Sequence, residues 1–179
     1  MKLKSVPGDK TRPITDRVKE ALFNIISADI VEATMLDLFA GTGSVGIEAL
    51  SRGASFVRFN DRQNAATRTI KENLALTHLE KQAEVTQRDA YQLLNGVIDR
   101  SFDYLFIAPP QYKELWLSAV ECVDKNPGWL SEDAWVIVQI DPVEYRGLNL
   151  KNLVIFDRRR YGSTLLLFLS KRNGDDKKD

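Results

Sequence analysis

Three glycines and a nearby carboxylate, early in the chain, have the types and spacing to hold a ligand. Gly41, Gly43 and Gly46 are spaced G-x-G-x-x-G and follow the apolar segment 35–39. A glycine turn between a strand and a helix lets a ligand approach the backbone and the helix N-terminus. This spacing alone is typical of a dinucleotide site. Asp37 adds a feature, because a carboxylate inside a buried strand is costly unless it has a partner.

Acidic residues also follow the next two predicted strands. Asp61 comes after the apolar segment 56–60, at roughly the 20-residue offset from Asp37 at which a ribose-binding acid is expected. Asp89 follows segment 83–87, where a carboxylate can accept a hydrogen bond from an adenine amino group. Ligands of open α/β sheets bind at the carboxyl ends of the strands. We therefore predict that these three acids share one site.

A proline-rich turn follows the fourth predicted strand, at segment 102–107. It reads Ala-Pro-Pro-Gln-Tyr over residues 108–112. Two prolines make a rigid turn that can aim a backbone carbonyl at a ligand, and Tyr112 can supply an aromatic ring. Arginines at 158–160 could neutralise phosphates, although a solvated hairpin explains them equally well.

The elements that must position these residues alternate between strand and helix. Thr15 is a predicted N-cap, and apolar residues recur after it at helical spacing. Further helices are predicted at 65–76, 90–94 and 115–123. Strands are predicted at 35–39, 56–60, 83–87, 102–107, 135–140, 153–157 and 164–169. Such alternation predicts a mostly parallel α/β sheet, and the short connection 158–163 predicts a closing antiparallel hairpin.

The composition is that of an ordinary globular protein, with 44% hydrophobic and 28% charged residues. The 25 basic and 25 acidic residues balance, so net charge does not by itself indicate nucleic-acid binding. The single Cys122 fits a reducing compartment. With no apolar run long enough to span a bilayer, we expect a cytoplasmic protein. The only Cys and the only His, His78, lie far apart, so no metal site is expected.

Two longer motifs resemble one protein family. TRPITDRVKEALFN at residues 11–24 and DLFAGTG at 37–43 resemble signatures of the bacterial 16S ribosomal RNA guanine-N2 methyltransferases, which depend on S-adenosylmethionine. EALSRGA at 48–54 and the late Tyr161-Gly162 pair continue the resemblance. It implies the Rossmann-like, seven-stranded methyltransferase sheet. It places a methyltransferase domain at 12–170, while composition predicts a short basic segment at 1–11 and a charged, disordered tail at 171–179.

The resemblance implies transfer of a methyl group to guanine N2, an exocyclic amino group of small-subunit ribosomal RNA. The expected partner is this RNA or a subunit assembly intermediate, with no membrane and no metal, and the expected state is a monomer. The implied cofactor-binding residues are Asp37, Phe39, Gly41, Thr42, Gly43, Asp61, Arg62, Asp89 and Ala90. The implied catalytic residues are Ala108, Pro109, Pro110 and Tyr112. The implied substrate-binding residues are Arg12, Thr15, Arg17, Arg158, Arg159 and Tyr161.

The sequence departs from the family at its fourth motif, [DN]-P-P-[YF]. Ala108 replaces the acid or amide that accepts a hydrogen bond from the target amino group, and Gln111 replaces the aromatic residue. After the second strand, Gln63 replaces a further acid of the family. Two alternatives therefore stay open. One is an adenine-N6 DNA methyltransferase, a class that shares the fourth motif, and the other is a non-catalytic module that binds the cofactor or RNA.

Overall fold

The computed structural model of the chain describes residues 2–8, 13–111 and 114–174. Within them the chain forms two compact units, the first ending at Ala90 and the second beginning at Tyr91. Strands and helices alternate through both units. Within this part of the chain, no helix combines the length and the apolar character needed to cross a membrane.

The described part of the first unit contains three parallel strands and three α-helices. In chain order these are α1 (Asp16–Ile26), β1 (Thr34–Asp37), α2 (Ser44–Ser51), β2 (Phe56–Asn60), α3 (Asn64–Thr77) and β3 (Ala83–Thr86). Strand β2 pairs in parallel with both β1 and β3. Strands β1 and β2 are buried on both faces along most of their length, as expected of a parallel sheet covered by helices. Val57 and Phe59, for example, are fully buried.

Helix α1 forms where the sequence predicts it. The Thr15 hydroxyl accepts a hydrogen bond from the backbone N–H of Val18 at 3.2 Å, so Thr15 is the N-cap. Asp16 follows in the first turn, where a negative charge is favourable. Val18 and Leu22, one turn apart, are among the residues that α1 buries.

The described part of the second unit contains four strands and one longer α-helix, and a short helix lies where the units divide. After the short helix α4 (Ala90–Leu94), which begins where the units divide, come β4 (Phe102–Ile107), α5 (Leu115–Lys125), β5 (Leu130–Ile140), β6 (Leu153–Tyr161) and β7 (Thr164–Lys171). Strands β4 and β5 are parallel, whereas β7 runs antiparallel to both β5 and β6. The sheet has the order β3-β2-β1-β4-β5-β7-β6. The predicted seven-stranded, mostly parallel sheet with a closing antiparallel hairpin is therefore confirmed.

A buried aspartate fixes the start of β6. Asp124, in the last turn of α5, is 6% exposed, and its carboxylate accepts hydrogen bonds from the backbone N–H groups of Lys151, Asn152 and Leu153 at 2.8–2.9 Å. Three backbone donors satisfy a carboxylate that would otherwise be costly to bury. These three hydrogen bonds anchor the start of the β6–β7 hairpin, which carries the arginines at 158–160.

The largest errors in predicted boundaries are in the second unit. Strand β5 begins at Leu130 and not at residue 135, because the strand continues through the exposed residues Glu132 and Asp133 that interrupt its apolar pattern. Residues 158–161 belong to β6, because they pair with β7, and the connection is the two-residue turn Gly162-Ser163. The tail does not begin at residue 171. Lys171 ends β7, its Nζ donates to the Leu130 carbonyl at 2.8 Å, and the Arg172 N–H donates to the Asn152 carbonyl at 2.8 Å. Residues 175–179 lie outside the described part.

Candidate functional site

The glycine turn joins β1 to α2 through two residues in the left-handed region. Gly41 has φ 57° and Gly43 has φ 83°. Glycine adopts these positive φ values at no steric cost, whereas a residue with a Cβ atom would be strained there. Gly43 is the N-cap of α2, and its N–H donates to the Ala40 carbonyl at 2.8 Å. The turn leads directly into the N-terminus of α2, where N–H groups lack partners within the helix.

The third glycine serves packing. A Cβ atom on Gly46 would lie 2.3 Å from the Phe59 ring and 2.8 Å from a Val57 methyl. Helix α2 can therefore lie against β2 only with glycine at this position, as the third glycine of this spacing requires. The predicted strand–turn–helix is thus present with all three glycines in distinct roles.

Asp61 connects the end of β2 to the glycine turn. Its Oδ2 accepts a hydrogen bond from the Gly41 N–H at 3.0 Å, and its Oδ1 accepts one from the Gln63 N–H at 2.9 Å. A carboxylate oxygen has a second lone pair, so each oxygen can still accept from a ligand hydroxyl. The ribose role of Asp61 stays a prediction, and the structure adds a bond to the turn itself.

Asn60 holds three strand ends together, a role that the sequence analysis missed. Its Nδ2 donates to the Leu38 carbonyl at 3.2 Å and to the Arg88 carbonyl at 3.0 Å, and its Oδ1 accepts from the Thr86 hydroxyl at 2.7 Å. The residue is 1% exposed. An amide at the end of an apolar strand is the signal that could have revealed it, because a buried amide needs partners.

Asp37 is buried beneath the turn, with 2% exposure. Its carboxylate accepts a hydrogen bond from the Gly46 N–H, but Oδ2 has no partner among the described residues. Burial raises the pKa of Asp37 from 3.8 to about 7. The Gly46 bond opposes this increase, and the nearby Asp61 charge adds to it. A buried oxygen without a partner beside a glycine turn is an acceptor available to a ligand's donor group.

All nine predicted cofactor residues lie in the first unit. The Asp61 carboxylate accepts from the Gly41 N–H, and its charge acts on the buried Asp37. The Asn60 bond to Arg88 holds the segment that leads to Asp89. The structure places the others as follows: Phe39 and Thr42 half-buried, Gly43 buried, Arg62 exposed, Asp89 half-buried and Ala90 buried. The first unit therefore brings the ends of β1, β2 and β3 to one place.

The predicted catalytic turn lies in the second unit, directly after β4. Ala108 and Pro109 are half-buried and Pro110 is exposed. Tyr112 lies outside the described residues. No side-chain acceptor exists at Ala108, so only backbone carbonyls can accept a hydrogen bond there.

The β6 arginines lie level with the end of β4. Ile107 pairs with Val138, Val138 pairs with Leu167, and Leu167 pairs with Arg158. The register therefore brings these arginines to the carboxyl ends of β4 and β5, within the same unit. Tyr161, half-buried, pairs with Thr164 at the hairpin end.

The Arg158 side chain packs against a pair of stacked aromatic rings. Its guanidinium lies over the Tyr145 ring, 4.5 Å from the ring centroid. Tyr145 in turn stacks on the buried Trp116 at 6.3 Å, with 17° between the ring planes. Sequence analysis did not single out Tyr145, because its loop lies more than ten residues before Arg158 and only folding brings them together. Stacking of this kind orients a guanidinium while keeping its charge.

The neighbouring arginines have different partners. Arg159 Nε pairs with Asp157 Oδ2 at 3.0 Å, and Arg160 Nε donates to the Gly162 carbonyl at 3.0 Å. None of the ion pairs between described residues includes Arg158. The charge of Arg158 is therefore more available to an external anion than that of Arg159, which is paired with Asp157.

The predicted substrate-binding residues near the N-terminus differ in their surroundings. Thr15 caps α1, so its hydroxyl already has a structural partner. Arg17 is exposed on α1. Arg12 lies outside the described residues. As for metals, the ranges covered by the structure contain no cluster of three His, Cys, Asp or Glu side chains that could hold one.

Comparison with protein families identifies relatives along nearly the whole chain. The family described as conserved hypothetical protein 95 matches residues 1–170. YlbH of Bacillus subtilis, whose name proposes an rRNA methyltransferase, is 38% identical over 172 residues, 95% of this chain and 93% of that protein. Ribosomal RNA small subunit methyltransferase D of Haemophilus influenzae is 35% identical over 142 residues, 78% of this chain and 73% of that protein.

Solved structures agree with these relatives. The structure of yhhF from Escherichia coli, described as a proposed methyltransferase, superposes with a TM-score of 0.80 at 30% identity, covering 94% of this chain and 90% of that one. The structure of HI0767 from Haemophilus influenzae, described as a proposed methylase, superposes with a TM-score of 0.76 at 30% identity. The match covers 88% of this chain and 98% of that one. The predicted resemblance is confirmed, and the chain belongs to the family described as conserved hypothetical protein 95, the ribosomal RNA methyltransferase D family.

Proposed function

We propose that this chain is an S-adenosylmethionine-dependent methyltransferase that modifies guanine N2 in small-subunit ribosomal RNA. The observation that carries the proposal is the glycine turn above the unpartnered Asp37 oxygen, in a chain whose relatives are named for small-subunit RNA methylation. We further expect a monomer that acts in the cytoplasm on the RNA or on an assembly intermediate, without a metal.

The residues at the turn fit this cofactor. Asp37 Oδ2 can accept from its amino group, Asp61 from its ribose hydroxyls and Asp89 from its adenine amine, while Gly41 and Gly43 leave room for close approach. When bound, S-adenosylmethionine supplies a methyl group on a sulfonium, a leaving group that is already activated. The protein's main contribution is then to position the amine and accept its proton.

The Ala108 turn would perform that positioning through its backbone. The carbonyls of Ala108 and Pro109 can accept a hydrogen bond from the exocyclic amine, and the prolines hold them without rearrangement. A hydrogen bond to a charged acceptor is worth about 1.5–3 kcal/mol, against about 0.5–1.5 kcal/mol for one to a neutral carbonyl. We therefore expect an active enzyme that is slower than one with an acid at position 108.

Single-turnover methylation tests this function. The natural protein, Ala108→Asp and Tyr112→Ala are mixed with S-adenosylmethionine and small-subunit RNA or subunits, and the methylated base is identified by mass spectrometry. We expect measurable N2-methylguanine from the natural protein, roughly a five- to tenfold faster rate from Ala108→Asp, and little transfer from Tyr112→Ala.

Binding of S-adenosylhomocysteine serves as the control, and the Ala108 variant should leave it unchanged. Tight binding without transfer by the natural protein on any substrate would favour the non-catalytic module. Methylation of adenine N6 in DNA would favour the other alternative.

The arginines of β6 allow a matched prediction about RNA binding. Because Arg158 is oriented by Tyr145 whereas Arg159 is paired with Asp157, Arg158→Ala should lower the log–log salt slope of RNA binding by about one unit. Arg159→Ala removes the same formal charge from the same strand and should change it less. Filter binding across a salt series measures both. Equal losses would mean that the arginines act only as diffuse charge.

A further inference from the structure

A single buried amide links the N-terminal segment (residues 2–8) to the glycine turn. Asn73, in α3, is 0% exposed. Its Oδ1 accepts a hydrogen bond from the Lys4 backbone N–H at 2.7 Å, and its Nδ2 donates to the Lys4 carbonyl at 3.1 Å. The side-chain amide thus pairs with both backbone groups of one residue, as a neighbouring strand would.

The same nitrogen also holds the glycine turn. Asn73 Nδ2 donates to the Thr42 carbonyl at 2.9 Å. A carboxamide offers two N–H donors, and Asn73 uses one on each side. The orientation of the amide is therefore set by both segments at once, and displacing either leaves part of the buried Asn73 amide unsatisfied.

The other contacts of the N-terminal segment do not fix the alignment of its backbone. Lys4 Nζ pairs with Glu72 at 3.3 Å, but both side chains are more than half exposed, and such pairs contribute little. Val6 is 7% exposed and packs into the core. Asn73 therefore provides the polar contacts that align the backbone of this segment, whose Lys2 and Lys4 precede α1.

We propose that Asn73 is a positioning residue through which occupation of the glycine turn and alignment of the N-terminal segment stabilise each other. The inference rests on the proposed function for the identity of the ligand. A ligand that orders the Thr42 carbonyl also orders the Asn73 amide that donates to it. The ordered amide in turn holds the backbone N–H and carbonyl of Lys4. By reciprocity, alignment of the segment raises affinity at the turn by the same factor.

Lys4→Pro tests the coupling without touching the ligand site. Proline removes the N–H that Asn73 Oδ1 accepts. Lys4→Ala is the matched control, since it removes the same side chain and its ion pair but keeps the backbone donor. We expect Lys4→Pro to weaken binding of S-adenosylhomocysteine in calorimetry about three- to tenfold, as the loss of one net hydrogen bond implies. Lys4→Ala should stay within about twofold, as the loss of an exposed ion pair implies.

Hydrogen exchange supplies a readout that a merely structural residue would not change. In the natural protein, S-adenosylhomocysteine should slow exchange of the Lys4 amide, and in Asn73→Ala this ligand dependence should disappear. Two results would overturn the coupling. One is equal affinity of Lys4→Pro and Lys4→Ala for S-adenosylhomocysteine, and the other is a Lys4 amide exchange rate in the natural protein that does not change when the ligand is added. Failure of the natural protein to bind the ligand at all would instead overturn the proposed function.

Discussion

At pH 8 the ligand-free Asp37→Asn protein is expected to unfold at a higher temperature than the natural protein, and the difference should disappear towards pH 4. Burial raises the pKa of Asp37 from 3.8 to about 7. Between these values the folded protein keeps a proton that the unfolded chain releases, so stability falls as pH rises. Above pH 7 both states are ionised, and the full cost of the buried charge remains.

The size of this effect follows from the shift of the pKa. A change of about three units corresponds to roughly 4 kcal/mol, which is a ceiling because structural relaxation lowers it. In a protein of this length, 1 kcal/mol moves the melting temperature by about 2–4 °C, so the ceiling is roughly 8–16 °C. Asparagine is a neutral isostere that can still accept from the Gly46 N–H, and it therefore removes the charge without removing the bond.

Thermal unfolding of both proteins from pH 4 to pH 8 measures the effect. Asp29→Asn, at an exposed position, controls for loss of an acid elsewhere and should show no such trend. A parallel pH dependence of Asp37→Asn and the natural protein would show that Asp37 ionises normally. The same substitution should weaken binding of S-adenosylhomocysteine, because the amide nitrogen that replaces Oδ2 cannot accept from an amino group.

Asp61→Ala should weaken binding of S-adenosylhomocysteine by about one to two decades. Loss of buried acceptors costs roughly 1–3 kcal/mol. The upper part of this range is expected, because the substitution also removes the acceptor of the Gly41 N–H. Calorimetry on the natural protein, Asp61→Ala and the exposed-site control Glu80→Ala measures the change. Equal affinities in all three would remove Asp61 from the site.

A ligand without the ribose 2′-hydroxyl separates the two roles of Asp61. If Asp61 holds the ribose, the natural protein should bind this analogue more weakly than S-adenosylhomocysteine, whereas Asp61→Ala should bind both alike. This double comparison isolates the hydroxyl–carboxylate interaction. A penalty that persists in Asp61→Ala would limit Asp61 to anchoring the turn.

Local patterns in the sequence were sufficient to predict most of the architecture. The alternation of apolar segments with helical spacing predicts the strands and helices, because periodicity reflects which face of each element is buried. The Thr15 N-cap and the glycine turn are also local, since caps and turns are defined by a few neighbouring residues. A buried Asp37 follows from one acid within an apolar strand.

The contacts that couple these elements depended on the tertiary structure. Asn73 is hydrogen-bonded to Lys4, 69 positions away in the sequence, and Asn60 to Arg88, 28 positions away. The Tyr145 ring contacts the Arg158 guanidinium from a separate loop. No short-range periodicity encodes such pairs, because an amide or a ring is equally compatible with many environments until the fold brings one partner to it. The arginines of β6 show the same limit. Their composition suggested a loop, but hydrogen bonding to β7 places them on a strand and decides which guanidinium pairs with Asp157 and which stands on Tyr145.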